Sequence, residues 1–277
     1  MKDKKQAILL EKRNKIGYIT FNRPEKLNAI RPADYGLLND LVNECEKDDN
    51  LRAVIVTGKG RAFSAGDDIE GWKGQPKHKK YMKGDWGMLA MSEGRNLDML
   101  LKEYRIPCQE TCVTMMKSGK VYIGAINGLC RIPEYLYAMD FVISADIATY
   151  AQGDMLAGFC PMAASTQIAP RVLVRRRATE LLLLADPISA QEAWRLGLVN
   201  KVVPLEQVMP EAEALAKKFI SYPVSGIKLT KMAMTKAQDL PLRDGLELEQ
   251  SYAAASVYGG EWDKWAADFI KKKRKMV

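Results

Sequence analysis

Apolar and polar positions alternate along the chain in two different ways. Short apolar runs, among them residues 16–21, 51–57, 121–126 and 141–145, predict buried strands. Residues 32–48 instead carry apolar side chains at helical spacing, and Pro133-Glu134 favours the start of another helix. Beyond residue 205 the periodicity is helical, with candidates at 205–220, 224–236, 242–258 and 261–273. The pattern predicts an α/β body over residues 1–204 and a helical region over residues 205–277.

A single histidine and five cysteines restrict the chemistry open to this chain of 277 residues. A Ser-His-Asp or Cys-His hydrolase needs a histidine beside its nucleophile, whereas His78 lies in a lysine-rich polar stretch. That class is disfavoured unless the loop of the 70s folds over the site. The odd number and irregular spacing of the cysteines favour free thiols over disulfides or a zinc site.

The chain carries a net charge of +8. This excess is typical of a solvated basic surface, and it would also attract a phosphorylated ligand. No basic stripe is interleaved with aromatic residues, so a nucleic-acid partner is not expected. No run reaches the roughly 18 apolar residues of a membrane span, and no apolar signal region begins the chain. We therefore expect a cytoplasmic protein without a membrane span.

Two acidic side chains follow neighbouring apolar runs and are candidates for chemistry. Glu134 comes shortly after the run at 121–126, and Asp154 follows the run at 141–145. Paired carboxyl groups can divide acid and base duties once burial and mutual repulsion separate their pKa values. Taken singly, Glu134 is also a common helix-start acid and Asp154 a common turn residue.

Four stretches together resemble the signatures of a known family. They are FNRPEKLNAI at 21–30, AVIVTGKGRAFSAGDDI at 53–69, AINGLCRIPEYLYAMD at 125–140 and PISAQEAWRLGLVNKVVP at 187–204. In this order and spacing they are similar to the enoyl-CoA hydratase/isomerase superfamily, or crotonase fold. The resemblance implies a spiral of β-β-α units, then a helical C-terminal region that assembles a trimer or hexamer. The third stretch departs from the family pattern, because its glycine-rich run is missing and it is shorter.

The resemblance also implies a ligand and a set of binding residues. The ligand is a coenzyme A thioester, bound as the substrate, with no separate cofactor and no metal. The residues that the family pattern assigns to coenzyme A are Lys26, Leu27, Ala65, Asp67, Asp68, Ile69, Lys272 and Lys273.

An oxyanion hole is the central catalytic feature that the resemblance implies. The first donor is the N–H of Asp67, which follows Gly66. The second lies three residues before the catalytic glutamate, which in this chain is Arg131. Arg131 would act through its N–H or its guanidinium, or else the hole is lost; Pro133 has no N–H to offer.

These expectations converge on a hydratase-like lyase with Glu134 and Asp154 as its acid/base pair. The altered loop and the long segment 71–120 favour a cyclic or branched acyl group, with the segment serving as a lid, a partner contact or a satellite helical layer. Three alternatives stay open. They are a hydrolase of a carbon–carbon bond in a β-dicarbonyl substrate, an enoyl-CoA isomerase, and a non-catalytic protein that binds coenzyme A.

Overall fold

A computed structural model of the chain describes residues 6–69, 106–158, 160–258 and 261–274. His78 and residues 71–105 of the segment discussed above lie outside these ranges, so the predicted lid or satellite layer is untested there. Within the described ranges, no helix is both long and apolar enough to cross a membrane.

Strands of the described residues form two sheets. The strands are β1 Ile8–Arg13, β2 Ile16–Phe21, β3 Ala53–Gly58, β4 Ala62–Ser64, β5 Val121–Ile126, β6 Leu129–Cys130, β7 Phe141–Ala145, β8 Thr149–Tyr150, β9 Ile188–Ser189 and β10 Lys201–Val203. The larger sheet has the order β1-β2-β3-β5-β7-β10, and the smaller has the order β4-β6-β8-β9. Successive strand pairs β3/β4, β5/β6 and β7/β8 each place one strand in either sheet, which is the predicted β-β-α spiral.

Helices surround the sheets and make up the C-terminal region. They are α1 Pro32–Lys47, α2 Ile106–Lys117, α3 Pro133–Ala138, α4 Ser165–Val172, α5 Arg175–Leu183, α6 Ala190–Arg195, α7 Val208–Ile220, α8 Val224–Lys236, α9 Leu242–Tyr258 and α10 Glu261–Arg274, with short 3₁₀ turns at Pro24–Lys26 and Leu205–Gln207. Strand β5 pairs in parallel with β3 and β7, and all six of its residues are buried. A strand covered on both faces explains why its sequence is an uninterrupted apolar run.

The chain passes from the large sheet to the small one at Asn127-Gly128. The Asn127 amide donates to the carbonyl oxygens of Gly58 and Gly60, at 2.8 and 2.6 Å. A Cβ atom at Gly128 would lie 2.2 Å from the carbonyl oxygen of Arg61, so a larger residue does not fit here. This contact holds β5 and the turn after β3 together and sets the position of the loop that leads to α3.

Two strands of the smaller sheet are absent from the elements that the sequence predicts. Leu129–Cys130 is β6 and Ile188–Ser189 is β9, both in the smaller sheet. Two-residue strands are too short to show the alternation by which strands are recognised. Ser189 does cap α6, because its hydroxyl accepts from the N–H of Glu192 at 3.2 Å.

The C-terminal region is tied to the body through α8. The Lys231 ammonium donates to the carbonyl oxygens of Met115 and Lys120 and to the Asp140 carboxylate, each at 2.8 Å. By contrast, no residue of α9 is buried. The boundary at residue 205 and the role of the region in oligomerisation stay predictions.

Candidate active site

Glu134 is the second residue of α3, and its side chain points into the protein. Pro133 occupies the first helical position, where the missing N–H is tolerated, and only 7% of Glu134 is exposed. Burial raises the pKa of the Glu134 carboxyl well above its ordinary range, and the negative charges of Asp154 and Asp67 raise it further. The carboxyl group is therefore held towards its neutral, proton-donating form.

Asp154 begins the turn after β8 and is half-buried. Burial raises the pKa of its carboxyl group, the Asp67 charge adds to this, and the Gln152 side-chain amide opposes it. Asp154 is more exposed than Glu134 and has an amide donor, so it is the group of the pair that ionises more readily. The fold brings Glu134, Asp154 and Asp67 close enough for their charges to interact.

The turn at Gly66-Asp67 is built by a parallel bridge to Ile30. The N–H of Ile30 donates to the Gly66 carbonyl and the N–H of Asp68 donates to the Ile30 carbonyl, both at 2.8 Å. This pairing turns the N–H of Asp67 away from Ile30. Gly66 has φ +87°, and a Cβ on it would lie 3.3 Å from Cβ of Arg131, so the turn packs directly against the loop that leads to Glu134.

Side chains from two other elements hold the carboxylates of this turn. The Tyr35 hydroxyl of α1 donates to Oδ1 of Asp67 at 2.6 Å. Arg23 pairs with Asp68 at 2.8 Å, and both side chains are largely buried. These two contacts fix the direction of the turn from both sides.

The two loops that the sequence assigns to coenzyme A lie side by side. The N–H of Ala65 donates to the Leu27 carbonyl at 2.9 Å, and the Asn28 amide donates to the Ala62 carbonyl at 2.7 Å. Lys26 and Ile69 are exposed to solvent, and the exposed fraction of Ile69 is 77%. Lys272 and Lys273 belong to α10, but their side chains lie outside the described part of the structure.

The main-chain N–H and one guanidinium nitrogen of Arg131 donate to main-chain carbonyl groups of the protein. Its N–H donates to the Ser64 carbonyl at 2.9 Å, and Nη1 of its guanidinium donates to the carbonyl oxygens of Cys130 and Thr149, at 3.1 and 3.0 Å. The hydrogen bond from Arg131 to Ser64 belongs to the pairing of β4 with β6, in a loop that lacks the family's glycine-rich run. The role of Arg131 as the second oxyanion donor stays a prediction.

Three further polar side chains of the site were not predicted. Tyr35 lies within the helical pattern of residues 32–48, and neither that pattern nor the family signatures point to Gln152 or Tyr137. Gln152 is buried, and its Nε2 donates to the Ser165 hydroxyl at 2.6 Å. Tyr137 could have been noticed, because it follows Glu134 by three positions and so lies on the same face of α3.

An open groove of about 530 Å³ lies beside the Asp154 turn. Its walls come from that turn and from α4 and α5, and are lined largely by apolar side chains, including Met155, Pro161, Pro170 and Leu182. Arg175 adds a positive charge at the groove. Among the described residues, no group of three or more His, Cys, Asp or Glu side chains is arranged to hold a metal ion.

Comparison with known proteins agrees with this architecture. The sequence profile of the enoyl-CoA hydratase/isomerase family matches residues 11–92 and 87–257. A short-chain-enoyl-CoA hydratase of Clostridium acetobutylicum is 30% identical over 276 residues, covering 97% of this chain and 96% of that protein. A 1,2-epoxyphenylacetyl-CoA isomerase of Escherichia coli is 29% identical over 257 residues, covering 92% of each.

Superposition of the backbone on solved structures agrees with the sequence comparison. The crystal structure of an enoyl-CoA hydratase from Bacillus anthracis superimposes with a TM-score of 0.82 at 25% identity, covering 96% of this chain and 97% of that one. The profile spans both the body and most of the C-terminal helices, and the fold is shared along nearly the whole length. The chain therefore belongs to the enoyl-CoA hydratase/isomerase family of enzymes.

Proposed function

We propose that the protein adds water to, or removes it from, an acyl-CoA thioester, with Glu134 and Asp154 as the acid/base pair. The observation that carries this proposal is the position of the two carboxyl groups. They come from separate elements, their charges interact, and burial raises the pKa of both, that of Glu134 well above its ordinary range and that of Asp154 against the opposing Gln152 amide. Such a difference between paired carboxyl groups is what division into acid and base requires.

The surroundings of the two carboxyl groups favour Asp154 as the base and Glu134 as the acid. Asp154, ionised, takes a proton from water as the water oxygen bonds to the β-carbon of the enoyl group. The electrons of the carbon–carbon double bond move to the α-carbon and thioester oxygen, giving an enolate. Glu134, neutral, then delivers its proton to the α-carbon, and a hydroxyacyl thioester results.

The enolate oxygen needs hydrogen-bond donors as its charge develops. In this proposal, the N–H of Asp67 is the donor that the Gly66 turn presents, and loss of one such donor typically costs about 2.7–4 kcal/mol of barrier. A second donor from the Arg131 loop would require that the N–H of Arg131 leave the Ser64 carbonyl when substrate binds. The reaction therefore either proceeds with one main-chain donor or is coupled to that movement.

A cyclic or branched acyl group remains our proposal for the substrate. The groove beside Asp154 supports it, because its apolar walls begin at Met155, the residue next to the acid. The family's coenzyme A residues in this chain, from Lys26 to Lys273, would hold the carrier. The buried cysteines, unpaired in the structure, support a reducing compartment such as the cytoplasm.

Homo-oligomer formation, as a trimer or hexamer, is part of the same proposal. The aromatic rings of Trp262, Trp265 and Phe269 stack along α10, and each residue is about half exposed. Exposed apolar clusters of this kind commonly mark protein interfaces. Sedimentation velocity of the wild type and of a Trp265→Lys variant tests this part separately.

Isomerisation is the second candidate, and two observations favour it. The E. coli relative is named as an isomerase, and Asp67 adds a third carboxylate to the site. An isomerase needs one base that removes a proton and returns it elsewhere, which this site could also perform.

The deciding experiment incubates the purified protein with crotonyl-CoA and with cyclic and branched enoyl-CoA thioesters. Loss of the conjugated absorbance together with a mass gain of one water supports the hydratase; a changed absorbance without a mass change supports the isomerase. Glu134→Gln and Asp154→Asn should each lower turnover strongly, while Glu192→Gln, at a partly exposed glutamate on α6, should not. Full activity in the double variant of the two acids would overturn the proposed pair.

A further inference from the structure

Helix α3 carries two buried tyrosine hydroxyls that have no hydrogen-bond partner within the described structure. They belong to Tyr135, which is 1% exposed, and Tyr137, which is 3% exposed. Buried polar atoms nearly always have a partner, so an unpaired hydroxyl needs an explanation. Phenylalanine would fill the same space without it.

The two hydroxyls have different surroundings. Tyr137 follows Glu134 by three positions, which places both side chains on one face of α3. Its hydroxyl interacts electrostatically with Glu134, Cys130 and Asp154, so it lies on the side of both acids. The Tyr135 hydroxyl also interacts with Glu134, but its strongest interaction is with the Cys108 thiol.

We propose that Tyr137 is a positioning residue, whose hydroxyl donates a hydrogen bond to the Glu134 carboxylate once Glu134 has given up its proton. The inference rests on the proposed function, in which Glu134 is the acid. It gives the buried, unpaired hydroxyl a partner in the state of the site where a donor is needed most, since a charged acceptor forms a stronger hydrogen bond than a neutral one. Burial raises the pKa of Tyr137, so the hydroxyl keeps its own proton and acts as a hydrogen-bond donor alone.

The remaining groups around Glu134 leave this role open. Those that interact with it are Asp67 and Asp154 from the two loops, Cys108 and Cys112 from α2, Cys130 from β6 and Tyr135 from α3 itself. All of these side chains repel a negative charge when ionised, and the one opposing contribution to the pKa of Glu134 among the described residues is a hydrogen bond from its own main-chain N–H. Arg131, the nearby cation of the described region, is directed to Cys130 and Thr149. A neutral donor on the same helix face is thus suited to stabilise the ionised Glu134.

Replacement of Tyr137 by phenylalanine tests the inference, with Tyr135→Phe as the matched control on the same helix. The Glu134 carboxyl is titrated by ¹³C NMR in protein with labelled glutamate, its signal identified by its absence in Glu134→Gln. Tyr137→Phe should raise the pKa of Glu134 by about one unit or more, a tenfold change in the ionisation constant, since a donor to its charged form is lost. Tyr135→Phe should change that pKa much less, because the Tyr135 hydroxyl interacts most strongly with Cys108.

Kinetics on an accepted enoyl-CoA provide the second readout. Tyr137→Phe should lower kcat about tenfold with little change in KM, and should move the alkaline limb of the pH profile upward, because Glu134 stays protonated to higher pH. Identical titrations in wild type and Tyr137→Phe, or equal shifts in both tyrosine variants, would overturn the inference. If the wild type turns over no enoyl-CoA but the titration shifts as expected, the positioning contact stands and the proposed reaction fails.

Discussion

Replacing Glu134 by glutamine should weaken catalysis and strengthen the fold, and the second effect should depend on pH. The side chain is 7% exposed, and the pKa of its carboxyl is raised well above the unfolded value of about 4.5 by burial and by the Asp154 and Asp67 charges. Between those two pKa values, the folded protein holds a proton that the unfolded chain has released. Raising the pH through that window therefore destabilises the wild type.

The size of the effect follows from the difference of one bound proton. The wild type should lose about 1.4 kcal/mol of unfolding free energy per pH unit, measured relative to Glu134→Gln, from about pH 4.5 up to the folded pKa of Glu134. Below that window both states are protonated and the difference should be constant. Glutamine has nearly the same volume, so packing contributes little to the comparison.

Urea unfolding at a series of pH values, at one protein concentration, measures this difference. The control is Glu192→Gln, at a glutamate whose pKa is lowered by its hydrogen bond to Arg195. The free energy of unfolding of that variant, relative to the wild type, should not rise with pH. If the difference in unfolding free energy between wild type and Glu134→Gln stays constant from pH 5 to pH 8, the carboxyl group at this position is not buried in its neutral form.

Three other variants test contacts that support the site. Gly66→Ala should destabilise the fold by about 1–2 kcal/mol and reduce turnover, because alanine is strained at φ +87° and its Cβ meets Arg131; an unchanged melting temperature would argue against the turn. Lys231→Met should cost about 3–5 kcal/mol in chemical denaturation, because the largely buried Asp140 loses its cation; a loss under 1 kcal/mol would show that the pair is open to solvent. Asn127→Ala should cost about 1–3 kcal/mol by the same method, since the carbonyl groups that it bridges are left without their donor, and Asn50→Ala, at an exposed turn, serves as its control.

The sequence predicted most of the fold because its long elements carry strong periodicity. The apolar run of β5 and the bounds of α8 and α9 agree with the structure. The smaller sheet was not predicted, because strands as short as β6 and β9 show no pattern of their own. Their positions depend on pairing between segments distant along the chain, such as Ala62 with Leu129.

The site was predictable where chemistry follows from residue type, and less so where it follows from main-chain geometry. Glu134 and Asp154 were singled out as acids, and their roles stay predictions that the variants above test. The direction of the Arg131 N–H depends on the register of β4 with β6, which its sequence does not reveal. Tyr35 was likewise hidden, because one ring can pack on an apolar face and still direct its hydroxyl to Asp67.

The contacts between Lys231 and the body limit how the assembly of this protein can be studied. Asp140 lies two positions beyond the end of α3, so the C-terminal helices are fastened close to the segment that bears Glu134. Truncation of the chain after α7 would remove Lys231 and leave the Asp140 carboxylate without its cation close to α3. Loss of activity in such a truncated protein would therefore not show whether a monomer is active. Charged replacements on the exposed face of α10 are a better way to obtain a monomer.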